Sequence, residues 1–139
     1  MGNSLSLAYL AGLFDGEGNI SLMRDYSSHV GIFPTSIRCR VNMRTKLIPA
    51  LFQAQFGGRL THFKTGVTGW DVAAAEAVHF LKTILPHLIL KKPQAKIAIS
   101  HQELIWRGAK GKRISPSEMA LREANAKALK VAMEESYGR

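Results

Sequence analysis

Ala8, Ala11, Gly12 and Gly16 are spaced so that a helix over this stretch carries one face with almost no side-chain bulk. Two helices with such faces can approach until their backbones nearly touch, and the simplest partner is a second copy of the same chain. Gly16 and Gly18 make helix continuation past Asp15 unfavourable and release the chain where Asp15 and Glu17 stand. About a twofold axis, two copies of Glu17 would converge. Converging carboxylates with nearby backbone carbonyls suit a hard divalent cation, and such sites serve phosphodiester hydrolysis. A calcium-loop reading of Asp15, Glu17 and Asn19 fails, because Ile20 and Tyr26 stand where that loop needs glycine and a bidentate acid.

The chain has 139 residues, the size of one domain, and no second domain is needed to account for residues 1–139. Nineteen Lys and Arg against 10 Asp and Glu give a net charge of +9, so a polyanionic partner is the first expectation. The charge is localised. Arg38, Arg40, Arg44, Lys46, Arg59 and Lys64 lie between Tyr26 and Trp70 with no acidic residue among them. The single Cys39 excludes an internal disulfide and any cysteine-based metal site. Glu76, His79 and Lys82 interrupt the most apolar region, so no membrane span and no membrane partner are expected, and the protein is expected to be intracellular. Met1 to Ser6 fits the loose N-myristoylation pattern, but Ser4 or Ser6 is better explained as the cap of the first helix.

After this helix, residues 19–25 read as a strand and 26–35 as a polar loop containing Gly31 and Pro34. Ile37, Cys39, Val41 and Met43 then alternate strictly with Arg38, Arg40, Asn42 and Arg44, the pattern of a half-buried strand with a polar face. Arginine grips phosphates and reads guanine edges through two hydrogen bonds, so this face is a candidate DNA surface. Thr45 caps a helix over 46–56, closed by Gly57 and Gly58. A hairpin follows, with strands 59–64 and 68–73 and with Leu60, Trp70 and Val72 facing the core. Helices are expected over 74–85, 93–107 and 116–135, the last as packing. The five histidines lack metal-ligand spacing, and no nucleophilic triad pattern is present.

The stretch from Leu10 to Gly18, Leu-Ala-Gly-Leu-Phe-Asp-Gly-Glu-Gly, resembles the signature of the LAGLIDADG homing endonucleases, and the order of elements resembles theirs over residues 4–107. The resemblance implies an α+β fold in which a four-stranded antiparallel, saddle-shaped sheet is backed by helices. One copy of the motif implies a homodimer, with Ala8, Ala11, Gly12, Asp15 and Gly16 at the interface. In the family the eighth motif residue, here Glu17 where Asp is commoner, is the metal-binding catalytic acid. The Gly16 carbonyl and, more weakly, Asp15 can also contact the metal, with Asp15 otherwise supporting the helix end.

Pro86 to Lys92 resembles a family segment whose lysine approaches the active-site water; the matching residue is Lys91, with Lys92 as the alternative. The family's solvent-ordering glutamine has no counterpart, since Met43 stands in its place, and Asn42 or Lys46 is left to take that role. The expected activity is Mg²⁺-dependent, site-specific cleavage of double-stranded DNA at a long near-palindrome, with Mn²⁺ or Ca²⁺ able to occupy the same sites. The DNA-binding candidates are Ser21, Met23, Arg38, Arg40, Asn42, Arg44, Lys46, Arg59 and Thr61. The rival readings are an intron RNA maturase, a non-cleaving DNA-binding regulator and a basic structural dimer. The compartment, nucleoid or organelle, is left open.

Overall fold

The computed structural model describes residues 6–108 and 113–138. Helix α1 spans Leu7–Glu17, and Ser6 caps it by accepting a hydrogen bond from the Tyr9 amide at 3.1 Å. The chain turns directly into β1 (Gly18–Ser27), which pairs antiparallel with β2 (Gly31–Met43). Then come α2 (Leu47–Phe56), β3 (Arg59–His62), β4 (Thr68–Ala73) and α3 (Ala74–Ile84). A single 3-10 turn at Leu85–His87 leads into α4 (Lys92–Arg107), and α5 spans Pro116–Ser136. The sheet order is β1-β2-β4-β3, with every neighbouring pair antiparallel. This is the expected α+β architecture, with helices behind one four-stranded sheet.

The core lies between that sheet and the helices. Phe14, Phe52, Trp70 and Phe80 are fully buried, with Trp70 4.9 Å from Phe52 and 5.0 Å from Phe80 between ring centroids. The indole nitrogen of Trp70 donates to the Gly57 carbonyl at 2.7 Å, which ties the end of α2 to β4. Burial pushes the thiol of Cys39 far above its ordinary range, so it acts as a small apolar core residue. No helix among the described residues is long and apolar enough to cross a membrane.

The largest departure from the sequence reading is at residues 31–36, which extend β2 instead of forming a loop. The register shifts between Leu22 and Arg24, and side chains from the helices take up backbone groups at this irregularity. Gln102 accepts from the Ile37 amide at 3.0 Å, His101 donates to the Thr35 carbonyl at 2.8 Å, and Arg122 donates to the Pro34 carbonyl at 3.0 Å. Local punctuation by Gly31 and Pro34 is thus overridden by partners more than 60 residues away in the sequence. Smaller departures are β3, which ends at His62, and α3, which gives way to the 3-10 turn at Leu85. Lys110 to Arg113 reads in the sequence as a basic loop, and of it only Arg113 lies among the described residues.

Candidate nucleic-acid interface and carboxylate site

Residues directly opposite one another on neighbouring strands share a face of the sheet. Ser21 faces Arg38 and Asn19 faces Arg40; across the next pairs Arg40 faces Asp71, Asn42 faces Gly69, Arg59 faces Asp71 and Thr61 faces Gly69. These residues therefore form one polar surface opposite buried Ile20, Cys39, Val41, Trp70 and Val72. Its centre is a groove of about 290 Å³ whose walls include Arg38, Arg40, Asn42, Arg59 and Asp71.

Asp71 organises the surface. Its carboxylate lies 3.5 Å from Arg38 and 3.2 Å from Arg59, while Arg40, opposite it in register, has no ion-pair partner among the described residues. The sequence reading passed over this residue, although the inward parity of Trp70 and Val72 places it outward. Arg44 donates to the Thr65 carbonyl at 3.1 Å, bracing the β3–β4 turn against the end of β2. Lys46 is exposed at the cap position of α2, and Met23 sits at the β1 register shift, apart from the regular face. Met43 is partly buried and packs against the core, which keeps it out of any solvent-ordering role. Asn42 is exposed and lies over Gly69.

At the rim of this surface, Glu17 ends α1 with an exposed carboxylate that has no hydrogen bond or ion pair among the described residues. The neighbouring carboxylate is bound by its own chain. Asp15 accepts from the backbone amides of Ile89 at 2.8 Å, Leu90 at 3.1 Å and Lys91 at 2.9 Å, at the entrance to α4. An anion satisfying free amides at a helix N-terminus is stabilised there, so Asp15 anchors its own chain at the entrance to α4. Ala11, expected at a dimer interface, is wholly buried in its own core, whereas Ala8, Gly12 and Gly16 are exposed. Lys91, expected beside active-site water, is 1% exposed, with its ammonium donating to the Asp15 carbonyl at 2.8 Å. Lys92, the alternative, begins α4 and is half-buried.

The oxygens of Glu17 and the Gly16 carbonyl are hard donors of the kind Mg²⁺ takes. No group of three His, Cys, Asp or Glu side chains able to hold a metal exists among the described residues. Close by, the side-chain oxygen of Asn19 is buried without a hydrogen-bond partner among the described residues.

No family model matches the sequence, and neither does any curated protein. Solved structures do match. The homing endonuclease I-CvuI, in complex with its target, superposes with a TM-score of 0.77 at 21% identity, over 91% of this chain and 80% of that one. The archaeal intron-encoded homing endonuclease I-Vdi141I, complexed with DNA, gives 0.65 at 16% identity, over 95% and 82% of the two chains. The homing endonuclease I-TnaI gives 0.68 at 15% identity, over 96% and 99%. The chain therefore has the LAGLIDADG homing endonuclease fold.

Proposed function

We propose that two copies of this chain pair through the exposed Ala8, Gly12 and Gly16 face of α1 and act as a site-specific, divalent-metal-dependent DNA endonuclease. The observation that carries the reading is the contrast between the two motif carboxylates: Asp15 is held by three amides, whereas Glu17 is exposed and uncommitted at the rim of an arginine-bearing sheet face. That contrast gives Asp15 the structural task and Glu17 the chemical one. In a pair, each Glu17 and the adjacent Gly16 carbonyl would hold Mg²⁺, with phosphate oxygens and water supplying the remaining ligands. When bound, the metal lowers the pKa of water and offsets charge on the transferring phosphate.

The sheet face does the binding. In this reading Arg40 and Asn42 meet base edges in the major groove; it is supported by the single polar face they share with Ser21 and Thr61 and with Arg38 and Arg59, which pair with Asp71. Lys46 and Arg44, at the end of β2, suit phosphate contact. Twofold pairing would make the target a near-palindrome. A binding protein without cleavage, on DNA or intron RNA, is the second reading. It is favoured by the apolar packing of Met43 and the burial of Lys91, which remove two groups from the solvent around Glu17.

A randomised duplex library incubated with Mg²⁺, with wild type beside Glu17→Gln, separates the readings. Discrete ends at one near-palindromic sequence, made by wild type alone, are expected; equal cutting by Glu17→Gln would remove Glu17 from the chemistry. Selective retention of duplex without new ends would establish the second reading.

A further inference from the structure

The last turn of α5 reaches the last turn of α1 through Lys91, and from this geometry we infer that Tyr137 is a positioning residue for Glu17. The inference rests on the reading of Glu17 as the reactive acid. Lys91 is 1% exposed, and a buried ammonium is costly unless its donors are met. It donates to the Asp15 carbonyl at 2.8 Å and to the Tyr137 hydroxyl at 3.2 Å.

The Asp15 carbonyl lies in the final turn of α1, where backbone oxygens run out of intrahelical partners. The Phe14 carbonyl is taken by the Gly18 amide. Lys91 takes the next one, and so fixes the peptide that leads into Gly16 and Glu17. The same segment is clamped from the other side. Ser136 donates to the Leu90 carbonyl at 3.0 Å and receives a hydrogen bond from Gln94 at 3.2 Å, while the Asp15 carboxylate holds the amides of residues 89–91. Residues 89–94 are therefore wedged between two helix ends, and Tyr137 is the hydroxyl that keeps the Lys91 ammonium on the α1 side of the wedge. Catalytic groups tolerate little displacement, since about 1 Å can change a rate on the order of a hundredfold.

The test is Tyr137→Phe in the full chain, which keeps the ring and removes only the hydroxyl that meets the ammonium. The single-turnover cleavage rate is expected to fall about tenfold, with the DNA dissociation constant held within about twofold. Amide exchange at Gly16, Glu17 and Gly18 in the free protein is expected to quicken, while exchange in the sheet stays as in wild type. Unchanged exchange at those three amides overturns the inference, as does a rate loss matched by an equal loss of DNA affinity or by faster exchange throughout the chain. The exchange measurement needs no turnover: faster exchange at the α1 end in a protein whose wild type does not cut supports the positioning while rejecting the nuclease.

Discussion

Gly69 stands directly across from Asn42, and a Cβ added to it would lie 2.5 Å from the Asn42 side-chain oxygen. The absence of a side chain on β4 is what lets the Asn42 carboxamide lie across the polar face. Gly69→Ala should therefore displace Asn42 and, at 3.1 Å, press on the ring of exposed Phe63. Both neighbours can move, so the stability cost is expected to stay below about 1 kcal/mol. Discrimination at the base pair contacted by Asn42 should fall by about 1–3 kcal/mol. Thermal unfolding together with competition binding on singly substituted duplexes measures the two effects separately.

Asp71→Asn should release Arg38 and Arg59 from their shared carboxylate. Two freed arginines add up to about two phosphate contacts, so the slope of log K against log salt should steepen by up to about two for non-specific duplex. Specificity should drop as non-specific affinity rises. Because the side chain of Arg59 is 67% exposed, little folding energy is expected to be lost with its pair, and most of any loss comes from the Arg38 pair, whose side chains are 28% and 16% exposed. A salt titration on a random-sequence duplex checks this, and an unchanged slope would mean that neither arginine reaches phosphate.

The alternation from Ile37 to Met43 made the arginine face legible in the sequence, whereas Asp71 was missed, although the inward parity of Trp70 and Val72 turns it outward. The roles of Asp15 and Lys91 were not legible in the same way. Their contacts join the end of α1 to the entrance of α4, across more than 70 residues, and no local pattern distinguishes a carboxylate that caps a distant helix from one that binds metal. The small-residue stripe was readable as a helix face, but burial divides it: Ala11 turns into the core while Gly12 turns out. The first half of β2 was hidden for a related reason, since the groups that satisfy its irregular backbone come from α4 and α5.

His101 carries the expected pH dependence of stability. Its ring donates to the Thr35 carbonyl at 2.8 Å and accepts from the Asn125 amide at 3.1 Å, a pairing that only the neutral imidazole can make. Burial holds its pKa below the ordinary 6.5; the Thr35 bond opposes that shift and the nearby Arg122 charge adds to it. The unfolded chain therefore binds the proton more readily than the folded one. This stabilisation is complete above pH 6.5 and declines as the pH falls below it, by at most about 1.4 kcal/mol for each pH unit. Denaturant unfolding of wild type and His101→Gln from about pH 7.5 to 5 should show a decline in wild type that is reduced in the variant.

Gly12 is the position at which self-pairing can be tested without disturbing the protomer. A Cβ placed there meets no atom within 4 Å, so nothing in the chain's own fold requires glycine at this point of α1. A leucine in the same helix position should raise the stability of an isolated protomer by up to about 1 kcal/mol, because glycine is a poor helix former. A close helix pair about a twofold axis has the opposite requirement, since each leucine would meet its twin where the backbones should touch. Gly12→Leu is thus expected to give a monomer that unfolds at a temperature no lower than the wild-type protomer and that binds only half of a near-palindromic site. Sedimentation velocity gives the subunit count and a half-site duplex titration gives the stoichiometry. A Gly12→Leu protein that remains dimeric would place the contact between copies somewhere other than α1, and the convergence of the two Glu17 carboxylates would go with it.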